Sequence, residues 1–174
     1  MKKIVLSILF SASVIFAQNF TLSSTELQGQ LTSKQVFNGF GCSGENISPE
    51  LSWKDAPKGT KSFAITVYDP DAPTGSGWWH WVVFDISKDK FTLPSGFGNS
   101  ESKDVIQSMT DFGKTGFGGA CPPKGDKAHR YIFTVHAIDV DTLKLDKNTN
   151  PALAGYYINA HSIAKASLIS YYGR

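Results

Sequence analysis

Alternation of apolar and polar positions marks three segments of the chain as strands. In Lys61 to Asp69, KSFAITVYD, the residues Phe63, Ile65, Val67 and Asp69 fall on one face and Ser62, Ala64, Thr66 and Tyr68 on the other. His80 to Ile86, HWVVFDI, places His80, Val82, Phe84 and Ile86 on one side, and both sides are largely apolar. A strand apolar on both faces belongs inside a sheet rather than at its edge. His129 to Asp139, HRYIFTVHAID, sets His129, Tyr131, Phe133, Val135 and Ala137 together, with Arg130, Ile132, Thr134, His136 and Ile138 opposite. The runs Pro70 to Gly77, Leu93 to Ser100 and Gly116 to Gly125 are rich in Gly, Pro, Ser and Asp, which read as loops. Near the end, Ala160 to Tyr172 spaces Ile163, Ala166, Leu168 and Ile169 along one stripe before Gly173, which predicts a C-terminal helix. The pattern as a whole is that of a mainly β, antiparallel domain with a few short helices.

Composition narrows the picture. With 174 residues, 41% hydrophobic and 18% charged, the chain suits one well-packed domain. Its net charge of +2 is spread without a basic stripe, so no nucleic-acid partner is expected. The start, MKKIVLSILFSASVIFAQNF, has a basic end, an apolar middle and Ala17 before the polar Gln18. This is the layout of a secretory signal peptide over residues 1–17, leaving residues 18–174 as one periplasmic or secreted domain without a transmembrane segment. In such a compartment Cys42 and Cys121 are a candidate disulfide; whether they meet in space is left open by the sequence. Neither lies in a CxxC pair and the four histidines are scattered, so no metal site is expected.

Three strand ends carry the candidate chemistry. Asp69 closes the first strand, His80 opens the second and His129 opens the third, each beside a Gly- or Pro-rich loop. With the strands as neighbours, these residues converge at one rim. Each also has a plain structural reading: a hydrogen-bonded core histidine, a turn-forming aspartate. Gly116, Gly118 and Gly119 are expected to leave backbone N–H groups facing an anion, as in other nests. The sequence holds no GxSxG nucleophile or HExxH zinc motif, so an enzyme is not the expectation and no cofactor is implied. Gly39 to Gly44 formally fits GxGxxG, yet Glu45-Asn46-Ile47-Ser48-Pro49 follows it where a helix should, and the match is assigned to chance.

Four blocks, in order, resemble the signature segments of the phosphatidylethanolamine-binding protein family. They are Asn46 to Trp53, Asp69 to Pro73, Gly77 to Trp81, and Gly119 to Gly125 followed by His129-Arg130-Tyr131. The first is in the form found in the family's bacterial branch. The resemblance implies a sandwich of antiparallel sheets with peripheral helices, and a small pocket for phosphate-like anions or a phospholipid head group. Carried over position by position, its lining is Asp69, Trp78, His80, Pro122, Pro123, His129 and Tyr131, with Trp79 and Trp81 left to packing and Tyr171 or Tyr172 as further candidates. A bound dianion would hold one or both histidines protonated, with Asp69 orienting a ring. Cys121 stands where animal members have glycine. A protein partner, either a protease or a signalling protein, is the alternative that the resemblance also implies.

Overall fold

The computed structural model describes residues 19–174; the expected signal peptide lies outside the described residues. In chain order the strands are β1 (Thr21–Ser23), β2 (Asn38–Gly39), β3 (Cys42–Ser43), β4 (Leu51–Lys54), β5 (Ser62–Asp69), β6 (Trp78–Ser87), β7 (Thr92–Leu93), β8 (Ile106–Gln107) and β9 (His129–Ile138). Helix α1 (Pro151–His161) and strand β10 (Ser162–Tyr172) follow. The main sheet is antiparallel and five-stranded, in the order β10-β9-β5-β6-β8, and β1-β4-β7 form a second, three-stranded sheet. A two-stranded hairpin, β2-β3, stands apart.

The three patterned segments are the three central strands of the main sheet, and both of its faces are covered. Phe63, Ile65 and Val67 of β5 and Phe133, Val135 and Ala137 of β9 join Leu22, Leu51, Trp53 and Leu93 in the core between the sheets. On the other face Ala64, Val82, Phe84 and Ile138 pack beneath Ala154 and Ile158 of α1 and Leu143. The double burial explains why these strands read as nearly continuous apolar runs.

Simple alternation fails in β6. Two register shifts interrupt its pairing with β5, one around His80 and one around Asp85, which has φ +58°. Each inserts an extra residue and returns the chain to the other face. Consequently Trp81, Val83 and Ile86 lie in the core between the sheets, whereas Val82 and Phe84 face α1, and Trp79 packs on the α1 side. His80, Val82, Phe84 and Ile86 therefore do not share a side. Asp85 earns its unusual backbone by accepting the N–H of Leu143 at 2.9 Å and the hydroxyl of Thr142 at 2.7 Å.

The C-terminal helix expected over residues 160–172 is instead β10, paired with β9 from Ser162 to Tyr172. Its residues also alternate: Ala164, Ala166, Leu168 and Tyr172 pack on the core, while Ile163, Lys165, Ser167, Ile169 and Tyr171 are exposed. The small residues at 164 and 166 satisfied both periods, and the long partner strand decided between them. The helix lies just upstream, where Asn150 caps it by accepting the N–H of Leu153 at 2.9 Å and Pro151 occupies its first turn.

Candidate functional site

At the rim where β5 ends and β6 and β9 begin, all seven expected residues line one cavity of about 170 Å3: Asp69, Trp78, His80, Pro122, Pro123, His129 and Tyr131. The antiparallel register sets this up. Asp69 pairs with Trp78 across β5 and β6, and Tyr68 with Ile132 across β5 and β9, so the three strand ends meet at one level. The bulge at His80 turns its ring to the cavity side, 5.1 Å from the ring of Tyr131 and nearly perpendicular to it.

Asp69 is 3% exposed and both its oxygens are engaged. Oδ1 accepts the N–H groups of Asp71 and Ala72 at 2.8 and 3.1 Å, and Oδ2 lies 2.7 Å from Nδ1 of His129. The turn-forming and ring-orienting readings of this aspartate are thus both realised. Because a carboxylate is an acceptor, Nδ1 of His129 carries the proton. On its other side Nε2 of His129 stands 3.6 Å from the half-exposed carboxylate of Asp126.

His80 is held differently. Its Nδ1–H donates to the carbonyl of Gly118 at 2.7 Å, which leaves Nε2 without a hydrogen-bond partner among the described residues. Burial lowers its pKa to about 4, against weaker opposing effects from the Gly118 carbonyl and Asp69, so the ring is neutral near pH 7. The Tyr131 hydroxyl is buried and also lacks a partner among the described residues. Burial raises its pKa far above the ordinary phenol value, keeping it a donor. A buried hydroxyl with unused capacity at a cavity is uncommon, since nearly all such groups are satisfied in folded proteins.

The glycine-rich loop works by close approach and offers no nest. Gly118 N–H donates to the His80 carbonyl at 2.9 Å and Gly119 N–H to Asn46 Oδ1 at 2.7 Å, while Gly116 does not line the cavity. A Cβ on Gly118 would come within 2.4 Å of the Phe112 ring. Asn46 holds the loop from the far side, its amide donating to the Phe117 carbonyl at 3.3 Å, which gives the Asn46 to Trp53 block its place in the site. At the other edge Gly77, with φ +69°, has the Tyr68 hydroxyl where a Cβ would stand.

Phe40 and Phe112 also line the cavity, and neither was recognisable from sequence. Phe112 lies 5.3 Å from His80 and 5.4 Å from Trp78, ring to ring. It sits in an irregular loop without periodicity; the lone large apolar residue between Asp111 and Gly113 was the available signal. Tyr171 and Tyr172 do not line the cavity. Cys121 does, and it is bonded to Cys42, 79 residues away. The GxGxxG match at Gly39 to Gly44 is the β2-β3 hairpin and precedes no helix. Among the described residues no cluster of His, Cys, Asp or Glu is arranged to hold a metal, and no helix is long and apolar enough to cross a membrane. A wider depression of about 440 Å3 elsewhere is bordered by exposed loop side chains such as Lys103 and Lys147 and gathers no buried titratable group.

Comparison with known proteins gives concordant matches. A sequence model described as phosphatidylethanolamine-binding protein matches residues 23–173. The UPF0098 protein YbhB of Escherichia coli (strain K12) is 54% identical over 142 residues, covering 80% of this chain and 89% of YbhB. The UPF0098 protein YbcL of the same strain is 47% identical over 180 residues, covering 99% of this chain and 98% of YbcL. The crystal structure of E. coli YbcL, described as a new member of the mammalian PEBP family, matches with a TM-score of 0.86 and 49% identity, over 89% of this chain and 98% of that one.

Proposed function

The chain belongs to the phosphatidylethanolamine-binding protein family, and on that premise we propose that its rim cavity binds a phosphate-bearing small molecule or the phosphoryl head of a phospholipid. The observation that carries the reading is the pair of unpartnered polar groups at the cavity, His80 Nε2 and the buried Tyr131 hydroxyl. The hydroxyl donates to an anionic oxygen. Nε2 forms its bond by one of two equivalent routes, taking a proton from solvent or accepting one from a P–OH of the ligand. An anion in contact offsets the burial that keeps the empty site's His80 neutral. Affinity should therefore rise as pH falls from the bound-state pKa of His80 toward about 4, for as long as the ligand stays charged. The Asp69–His129 pair supplies a second imidazole, fixed in orientation, and Pro122 and Pro123 wall the space without offering N–H groups.

Calorimetric titration of residues 18–174 with phosphate and phosphoethanolamine, in buffers of different ionisation enthalpy, tests this. Binding with net proton uptake near pH 6, removed by His80→Ala, is the expected result. A folded protein that binds neither ligand would overturn the proposal.

Export is part of the same proposal. The Cys42–Cys121 bond supports an oxidising compartment, periplasmic or extracellular, and with it the reading of residues 1–17 as a cleaved leader. The intact mass of the protein from its native host should correspond to a chain beginning at Gln18; a chain that retains Met1 would contradict cleavage.

A further inference from the structure

The main sheet changes character along its α1 side. Beneath the helix its positions are apolar, with Ala64, Val82, Phe84 and Ile138 packed under Ala154 and Ile158. Further along, the same face turns polar, and the strand register sets its residues in cross-strand rows. Thr66 pairs with Thr134 and Thr134 with Ser167, while His136 pairs with Lys165. These rows floor a second cavity of about 220 Å3, which shares no lining residue with the rim cavity. Tyr68 and Trp79 form its aromatic wall, with ring centroids 4.7 Å apart, and the Tyr68 hydroxyl is anchored by donating to the Ser76 carbonyl at 2.8 Å. Gly155 of α1 closes the space from above. A Cβ there would stand 3.2 Å from the Trp79 ring, so this glycine, unfavourable inside a helix, lets the helix backbone approach the indole.

The polar groups of this cavity divide into those already engaged and those still free. Both nitrogens of His136 are taken, by the hydroxyls of Ser162 and Thr66. The hydroxyls of Thr134 and Ser167 lie 2.8 Å apart, so one donates to the other, and the accepting hydroxyl keeps a proton with no partner among the described residues. The Lys165 ammonium donates to Oδ1 of Asn159, and no carboxylate lines the cavity to pair with it. The floor thus offers a cation beside a hydroxyl donor, and the wall offers two rings. We infer that this cavity is a binding site for a small aromatic carboxylate, its carboxylate on Lys165 Nζ and the Thr134–Ser167 hydroxyls and its ring against Trp79 and Tyr68. A monoanion matches the one lysine, whereas a phosphate dianion would keep an uncompensated charge in a partly enclosed space. The indole and phenol faces favour an aromatic body through offset or edge contacts.

The site stands apart from the phosphoryl reading of the rim cavity. Calorimetric titration with phenylacetate, its neutral analogue phenylacetamide, and acetate tests it on the wild type and Lys165→Ala. Lys165 is exposed and its ammonium makes one side-chain bond, so the variant should melt with the wild type. Phenylacetate should bind the wild type about fivefold or more tighter than phenylacetamide, as expected for a partly solvated charge-assisted bond, and about tenfold tighter than acetate, which lacks the ring. In Lys165→Ala, phenylacetate should fall to within about twofold of phenylacetamide. Saturating phosphate, at matched ionic strength, should leave these affinities unchanged. Acid and amide bound equally by the wild type, or a preference that Lys165→Ala leaves intact, overturns the pairing with Lys165. Acetate that binds as tightly as phenylacetate overturns the aromatic assignment. Displacement by phosphate would place the ligand in the rim cavity instead, and a folded wild type that does not bind phenylacetate overturns the site outright.

Discussion

Two buried histidines stand on opposite faces of the main sheet, and they differ in how their hydrogen-bonding capacity is used. His136, on the α1 side, is complete. Ser162 donates its hydroxyl to the Ile158 carbonyl, so it accepts Nδ1–H of His136 at 3.0 Å, and the Thr66 hydroxyl donates to Nε2 at 3.1 Å. Burial lowers its pKa to about 3, and the nearby Lys165 adds to the shift. His80 is equally buried and also neutral, yet it satisfies only Nδ1 internally. Burial and a depressed pKa are common to both and so identify neither as functional; an unfilled valence beside a cavity is what separates them.

The strongest way to break this contrast is exchange by alanine. His80→Ala should weaken phosphate binding about ten- to hundredfold, the range for loss of a charged hydrogen bond, with little change in the fold. Comparable loss in His136→Ala would remove the basis of the comparison. Instead His136→Ala should leave binding within about twofold and lower unfolding stability by about 2–4 kcal/mol, because it opens a void and strands the buried Thr66 hydroxyl. Chemical denaturation measures the second effect.

The pH dependence of stability sharpens the comparison. The folded-state pKa values, about 4 for His80 and about 3 for His136, lie below the unfolded value of about 6.5. The unfolded chain therefore binds protons that the folded one refuses, and stability should be complete above about pH 6.5 and fall as pH is lowered toward about 4. Each histidine contributes a slope of up to about 1.4 kcal/mol per pH unit. Saturating phosphate should flatten the His80 share alone, whereas His136→Ala should remove the other share with or without ligand. Denaturation midpoints between pH 4 and 7 would show this, and a phosphate-insensitive slope would count against His80 as the ligand group. The smallest expected effect is at Asp126, whose carboxylate faces His129 Nε2 and competes with an incoming anion. Asp126→Asn should tighten phosphate binding by about two- to threefold at low salt, given the side chain's exposure, and a weakened affinity would assign Asp126 to the ligand's support.

Much of this site was legible because alternation holds where a strand is regular. Phe63 to Asp69 and His129 to Ala137 keep their predicted faces, and the convergence of Asp69, His80 and His129 followed from strand ends beside loops. Parity failed in β6 because bulges depend on tertiary anchors, here the loop bonds made by Asp85 and the loop carbonyl taken by His80, which leave no periodic trace. It failed in β10 because alanine suits both periods and the choice was made by pairing with β9. Phe40 and Phe112 stayed hidden for a third reason. Residues on irregular loops reach a site through contacts between distant segments, which local pattern cannot express.

Those distant contacts also set an order of events. The mouth of the cavity joins Gly41 to Arg174 across 133 residues and Cys42 to Cys121 across 79, among the most non-local links in the fold. The Gly41–Arg174 loop is nearly twice as long as the one closed when Ser62 of β5 pairs with Ile138 of β9, and its closure is entropically later, so β5, β6 and β9 can pair before the rim is assembled. Ligand competence should be the final property a refolding chain acquires, and the time lag between tryptophan burial and ligand capture would serve as a clock for that last step.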